Sequence, residues 1–172
     1  MELSKRRAQI NYYRNEKKDN LTIMVGNLND MNLGQQYDYV VVNGVLEYAM
    51  SFTEGDTPYE TFLGKMGSYL KNTGKLLIAI ENKLGMKYFA GAPEDHTDIP
   101  FFGINGYPEN HSVRTFSKTE LQELVKKSGF PFQKFYYPYP DYKFPTEIFT
   151  DASLTTNHYG KNYPIYTDKT VD

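Results

Sequence analysis

Tyr37-Asp-Tyr-Val-Val-Val-Asn-Gly-Val-Leu-Glu-Tyr-Ala49 is the stretch whose reading decides the fold of this chain. Val40, Val41 and Val42 are consecutive β-branched residues, which specify a strand, and the run shows no polar alternation. Such a strand belongs inside a parallel α/β sheet and predicts cover on both faces. Asn43-Gly44 then breaks it. In open α/β sheets ligands gather outside the carboxyl ends of the strands, where loops present polar groups from a rigid base. Glu47 and Tyr48 stand at that crest.

Upstream, Ser4 is an N-cap for a helix over residues 4–15, with Ala8, Tyr12 and Tyr13 as its apolar side. Leu21-Thr-Ile-Met-Val25 reads as a short strand ended by Gly26, followed by a polar loop to Gln36. Downstream, Thr57-Pro-Tyr-Glu60 combines an N-cap, Pro at the first helical position and a capping-box glutamate. Tyr59, Phe62, Leu63, Met66 and Leu70 recur at helical spacing, and Gly74 reads as the stop. Lys75 to Ile80 is a second buried strand, ending at Glu81-Asn82.

Residues 83–116 lack periodicity and are too long for an ordinary connection, which marks them as a lid or binding element. Ser117-Lys-Thr-Glu120 is a second capping box, with Phe116 placed to staple onto Leu121, and the helix runs to Gly129. Phe132 to Tyr137 and Thr146 to Phe149 read as an antiparallel strand pair, and residues 151–172 as a polar tail. The order is α/β with an antiparallel finish.

A chain of 172 residues fits one domain of ordinary size. Its net charge of −2 provides no global basic field, which argues against nonspecific binding to nucleic acid or anionic membrane. Cysteine is absent, excluding disulfides, thiolate metal sites and a Cys nucleophile. The apolar runs are strand-sized, far below the roughly 20 residues of a membrane helix, and no signal-peptide core opens the chain. A soluble, cytoplasmic protein is expected. The 16 Tyr and 11 Phe are unusual and crowd towards the last third, where they suit packing on sugars, bases or another chain, or cap a core and an oligomer contact.

The order of these pieces resembles class I S-adenosylmethionine-dependent methyltransferases, and the resemblance runs from Glu2 to about Phe149. It implies a Rossmann-like sheet closing with an antiparallel C-terminal hairpin. Glu2-Leu-Ser resembles the end of the family's second strand, implying that Glu2 accepts hydrogen bonds from the cofactor ribose. Gly26-Asn27-Leu28 resembles the loop that holds the adenine, with Asn27 where the family more often has Asp. Tyr37 to Tyr48 resembles the fourth-strand motif, implying cofactor contacts at Asn43, Gly44 and Glu47, with Tyr48 where His is common. Thr73-Gly-Lys-Leu-Leu-Ile78 resembles the fifth strand.

Glu81-Asn-Lys-Leu-Gly-Met-Lys-Tyr-Phe-Ala-Gly91, Glu94-Asp-His-Thr97, Arg114-Thr-Phe-Ser117 and Pro140-Asp-Tyr-Lys-Phe-Pro145 are similar to methyltransferase domains associated with glycosyltransferases of bacterial envelope polysaccharide synthesis. That resemblance implies a saccharide or nucleotide-sugar-linked acceptor and a glycosyltransferase partner. The family's first strand and Gly-rich loop should precede Glu2, and no G-x-G-x-G occurs later. Residues 1–150 therefore read as a partial methyltransferase domain, truncated in its N-terminal half, with an incomplete cofactor site. Either the third strand shifts to pair with the fourth, or two chains cover each other through the open sheet edge or the aromatic tail. The competing expectation is a noncatalytic interaction module that binds a partner enzyme or glycan.

Methyl transfer to oxygen or nitrogen is an in-line displacement that needs an aligned acceptor and, for a hydroxyl, a base. His96 is the candidate base, with Glu94 and Asp95 adjacent to orient or tune it, while Asp95-His96-Thr97 also reads as a simple turn. Tyr48, Glu81 and Asn82 are candidates for holding the acceptor, and Arg114 for binding a phosphate or carboxylate or for bracing its loop. Glu47 reads equally as a cap for the next segment. No metal is expected, because Glu94, Asp95, His96 and Asp98 are neighbours in one loop and such sets rarely complete a site. His111 and His158 read as surface residues, and no G-x-S-x-G elbow supports a hydrolase.

Overall fold

A computed structural model describes residues 1–108 and 112–154; His111, His158 and the tail from 155 lie outside the described residues. The valine-rich segment forms strand β1 (Tyr37–Asn43), which pairs in parallel with β2 (Leu70–Ala79). Val40 lies opposite Leu76, Val42 opposite Ile78 and Asn43 opposite Ala79. Parallel strands cannot be joined by a tight turn. The crossover here comprises a short 3-10 turn (Leu46–Tyr48), α2 (Ala49–Phe52) and α3 (Pro58–Ser68). Phe62, Leu63 and Met66 of α3 pack with Val42, Leu46 and Ala49, and the helix α5 (Lys118–Lys127) adds Leu124 and Val125 to the same core.

Local signals account for most helix starts. Ser117 makes the full capping box with Glu120, and Phe116 and Leu121 both join the core. Ser4 caps α1 (Lys5–Asn15) through the Arg7 N–H, yet of the expected apolar side only Ala8 is buried, while Tyr12 and Tyr13 are exposed. At Thr57 the side chain makes no cap hydrogen bond, although Pro58 does occupy the first turn.

Several expectations are corrected. Among the described residues the sheet is covered on one face only: Tyr39, Val41 and Leu77 are 60, 64 and 48 % exposed on the other. An unbroken apolar run shows that a strand wants cover without naming the element that supplies it. Within residues 21–25 only Val25 pairs, as a parallel bridge to Glu2, so this segment neither forms a strand nor shifts against β1. The helix α3 ends at Ser68 rather than Gly74, and β2 starts at Leu70, with a register shift opposite Tyr37–Tyr39. Gly74 sits inside that strand, where an added Cβ would lie 2.9 Å from the Tyr37 carbonyl oxygen. The antiparallel pairing of β3 (Tyr136–Tyr139) with β4 (Glu147–Thr150) follows expectation, but the first strand begins at Tyr136 rather than Phe132. Among the described residues this hairpin is a separate two-stranded sheet. The chain continues into a last short helix, α6 (Asp151–Leu154). No described helix is long and apolar enough to cross a membrane.

The long segment 83–116 is a closed excursion. Asn82 bridges Phe116 in parallel, the Lys83 N–H donates to the Phe116 carbonyl at 3.2 Å, and Pro93 bridges Pro100. Among its described residues the one helix is α4 (Met86–Phe89).

Two glycine substitutions test this packing. Gly74→Ala should lower stability by about 1–3 kcal/mol, because the new methyl meets backbone that cannot move away. Gly64→Ala, on the exposed side of α3 with nothing near the new Cβ, should raise it by roughly 0.5–1 kcal/mol. Urea unfolding midpoints at unchanged slope measure both.

Candidate functional site

The carboxyl ends of β1 and β2 lie side by side, and the polar groups beyond them converge. Gly44 continues the ladder by donating its N–H to the Ala79 carbonyl at 2.9 Å, in a left-handed conformation with φ of 60°. A Cβ at this position would come within 3.1 Å of the Tyr142 hydroxyl and 3.5 Å of Glu47 Oε1, so glycine keeps this corner open. Glu47 follows on the 3-10 turn and is 2 % exposed, while Glu81, just past β2, is 8 % exposed. Each has an Oε2 atom that is buried without a hydrogen-bond partner.

His96 reaches the same place from the long loop. Its Nε2 lies 3.9 Å from Glu47 Oε1, and Glu47, Glu81 and His96 each bring one ligand-capable atom within 4.8 Å of the other two. The opposite ring nitrogen, Nδ1, is 3.0 Å from Glu94 Oε1. Glu94 Oε2 accepts the His96 and Thr97 N–H groups, both at 2.9 Å, and Oε1 also accepts the Tyr107 hydroxyl at 3.2 Å. Glu94 is thus a buried anchor that folds the loop around itself and fixes the imidazole plane. The Tyr48 ring meets His96 edge to face at 5.2 Å. The Arg114 N–H donates to the Glu47 carbonyl at 3.1 Å and ties the loop's return to this turn.

The electrostatics follow from this geometry. Burial raises the Glu47 carboxyl above its ordinary range, against hydrogen bonding to its own backbone, and the nearby Glu81 adds to the rise. For Glu94 burial pushes upward, but the hydrogen bonds from His96 and Thr97 outweigh it and hold the carboxyl at about 2. The His96 imidazole is raised, chiefly by its hydrogen bond to Glu94 and against the effect of burial. Lys143 lies 2.7 Å from Glu81 Oε1 and is raised mainly by that hydrogen bond. Burial and the Glu81 charge push the Tyr142 hydroxyl up to about 12.

Not every sequence candidate arrives here. Of the two acids expected to orient His96, Glu94 does so, whereas Asp95 accepts from Tyr88 at 2.6 Å and from Lys87 at 2.9 Å. Adjacent residues on an extended turn point apart, whereas Glu94 curls back onto the following N–H groups. The Asn82 side chain accepts the Leu84 N–H rather than facing the cluster. Arg114 lays its guanidinium over the Phe116 ring and 3.7 Å from Glu120, the bracing role. Asn43 is an exposed strand-end residue. Glu2 Oε1 accepts the Ser4 N–H at 2.9 Å, and the Gly26 N–H donates to the Glu2 carbonyl, so Glu2 stands beside the Gly26-Asn27-Leu28 turn. Asn27 spends its amide on the Phe52 carbonyl and the Asn29 N–H, and Leu28 packs on the core. That turn is therefore docked on α2, the helix that follows Glu47. Tyr142 and Lys143 were missed as site residues; the signal was the Pro140 to Pro145 string.

The Glu94–His96 pair predicts a defined pH dependence. Glu94 titrates near 2 when folded against 4.5 ordinarily, so its stabilisation is complete above pH 4.5 and is lost as pH falls towards 2. His96 is raised, so its stabilisation is complete below pH 6.5 and is lost as pH rises through the folded value. Urea midpoints should fall on both sides of a window from about pH 4.5 to 6.5. Glu94→Gln should flatten both limbs.

No protein-family model and no curated protein matches this sequence. Two of the similar solved structures are described as methyltransferases. An S-adenosylmethionine-dependent methyltransferase from Clostridium acetobutylicum ATCC 824 superposes with a TM-score of 0.50 at 11 % identity, over 73 % of this chain and 61 % of that one. A candidate O-methyltransferase from Nostoc punctiforme PCC 73102 gives a TM-score of 0.44 at 16 % identity, over 68 % of this chain and 32 % of that one. The chain thus spans less than two thirds of either. The likeness to the Clostridium protein shows a shared mixed α/β fold.

Proposed function

We propose that this chain carries the acceptor side of an S-adenosylmethionine-dependent methyltransferase acting on a saccharide or its nucleotide-linked precursor. The observation that carries the reading is the buried Glu47–Glu81–His96 cluster at the carboxyl ends of a parallel strand pair. Ligand chemistry concentrates at that position in α/β sheets. The fold shared with the Clostridium methyltransferase supports the same reading. The saccharide acceptor rests on the resemblance at Glu81–Gly91, Glu94–Thr97 and Pro140–Pro145, and the Tyr48 and Tyr142 rings beside the cluster suit contact with a sugar face.

The cofactor residues fit in part. Glu2, oriented by the Ser4 N–H and placed beside Asn27, suits ribose hydroxyls, and the open corner at Gly44 is one a side chain would fill. When bound, the cofactor supplies an electrophilic methyl group on a sulfonium. The chain's own residues then hold the acceptor over the cluster and take its proton, with the lone pair of His96 Nε2 facing that position and Glu94 fixing the ring. A glycosyltransferase partner follows from the same resemblance.

A second reading, an interaction module without catalysis, is favoured by the uncovered Tyr39–Val41–Leu77 face. Two measurements on the full-length protein decide between them. Calorimetry should detect S-adenosylhomocysteine binding, and labelled methyl should pass from S-adenosylmethionine to saccharide acceptors; failure of both removes the enzyme reading. His96→Ala should cut turnover by roughly 10²–10⁴-fold while leaving S-adenosylhomocysteine affinity nearly unchanged. Unchanged turnover would clear His96 of the assigned role.

A further inference from the structure

The cluster contains an unresolved charge problem. Glu47 and Glu81 are both more than nine-tenths buried, and on each the Oε2 atom has no hydrogen-bond partner. A buried carboxylate oxygen left unpaired is costly, and two in one pocket repel unless a cation lies between them. Lys143 answers only part of this: it binds Oε1 of Glu81, from a side chain that is half exposed, and leaves both Oε2 atoms unpaired.

The third member completes a donor set. With Nδ1 hydrogen-bonded to Glu94, the other ring nitrogen of His96 turns its lone pair towards Glu47, 3.9 Å away. A carboxylate behind the non-ligating nitrogen is the arrangement that orients metal-binding histidines. We infer that Glu47, Glu81 and His96 Nε2 form a binding site for one divalent transition-metal ion. Three ligand atoms each about 2.1 Å from one ion lie about 3.0–3.6 Å apart, so a set spread over as much as 4.8 Å has to close by about 1 Å to bind it. Two hard carboxylate oxygens with one imidazole suit both Mn²⁺ and Zn²⁺, the latter binding tighter at equal concentration, and the nitrogen donor disfavours Mg²⁺. Gly44, where a side chain would press against Glu47 Oε1, leaves room beside the set for water or an acceptor oxygen.

This set differs from the Glu94–Asp98 loop group weighed in the sequence, because Glu47 and Glu81 come from the two strand ends. Binding itself does not depend on the methyl-transfer reading; the ion's role does rest on it. With an ion present, Nε2 would be a ligand in place of the base; the ion would lower the pKa of the acceptor hydroxyl, whose proton would pass to solvent water.

The test titrates the full chain with MnCl₂ and follows the free-ion signal by electron paramagnetic resonance, without cofactor or acceptor. One ion per chain is expected, with nitrogen coupling in the pulsed spectrum that disappears in His96→Ala. Glu94→Gln should weaken binding roughly 10–100-fold, and Glu47→Gln or Glu81→Gln should weaken it further. The exposed-acid control Asp38→Asn should bind as the parent chain does. Absence of binding at millimolar Mn²⁺, absence of nitrogen coupling, or binding unchanged in His96→Ala would each overturn the assignment. The parent-chain spectrum decides even if a carboxylate variant fails to fold. Methyl transfer that survives chelation in a chain that binds no Mn²⁺ sinks the ion and keeps the enzyme. Mn²⁺ binding without methyl transfer does the reverse.

Discussion

The parallel pairing of β1 with β2 constrains everything else described in this chain. Two strands running the same way place both carboxyl ends on one edge, and the chain between them must travel back along a face of the sheet. That return path is α3, and its buried residues Phe62, Leu63 and Met66 form the core against Val42. The same geometry that makes the crossover obligatory puts Glu47 and Glu81 next to each other, since each follows the end of its own strand. The candidate site is thus a by-product of strand direction.

Placing two carboxylates there works against stability, and the surroundings show how the cost is limited. Glu94 is fully engaged, accepting two backbone N–H groups and touching two side chains, and it holds its charge down to low pH. Glu47 lacks such partners for Oε2, and burial raises its affinity for a proton. Two acids of similar burial therefore behave in opposite ways: one organises a loop, and the other is left poised. Environments that push neighbouring titratable groups apart are what active sites use to divide roles among similar residues.

Legibility in the sequence tracked the range of the interactions involved. The Ser117 capping box and the start of α3 at Pro58 depend on neighbouring residues and could be read directly. The β-branched run gave strand β1, but not the bare face at Tyr39 and Val41, because cover is a tertiary property. The start of β2 at Leu70 was hidden, since Lys71-Asn72-Thr73-Gly74 has no apolar signature and Gly74 resembles a helix stop. Glu47, Glu81 and His96 were all named from the sequence, as crest and loop candidates. Their convergence was not legible, because it depends on strand direction and on a loop that returns to the sheet edge. Glu94 and Asp95 were both named beside His96, and sequence adjacency carries no information on which of the two curls back.

The bridge between Asn82 and Phe116 has an evolutionary consequence. Because the excursion is pinched shut at its base, the entropy of changing its length is small, about 0.6 kcal/mol for a doubling. Length can therefore change within the excursion at little entropic cost, provided that Glu94 keeps the His96, Thr97 and Tyr107 contacts that hold the imidazole in register with the strand-end acids. A fold arranged this way can diversify what it recognises without rebuilding the groups beneath, much as a fixed handle accepts exchangeable blades.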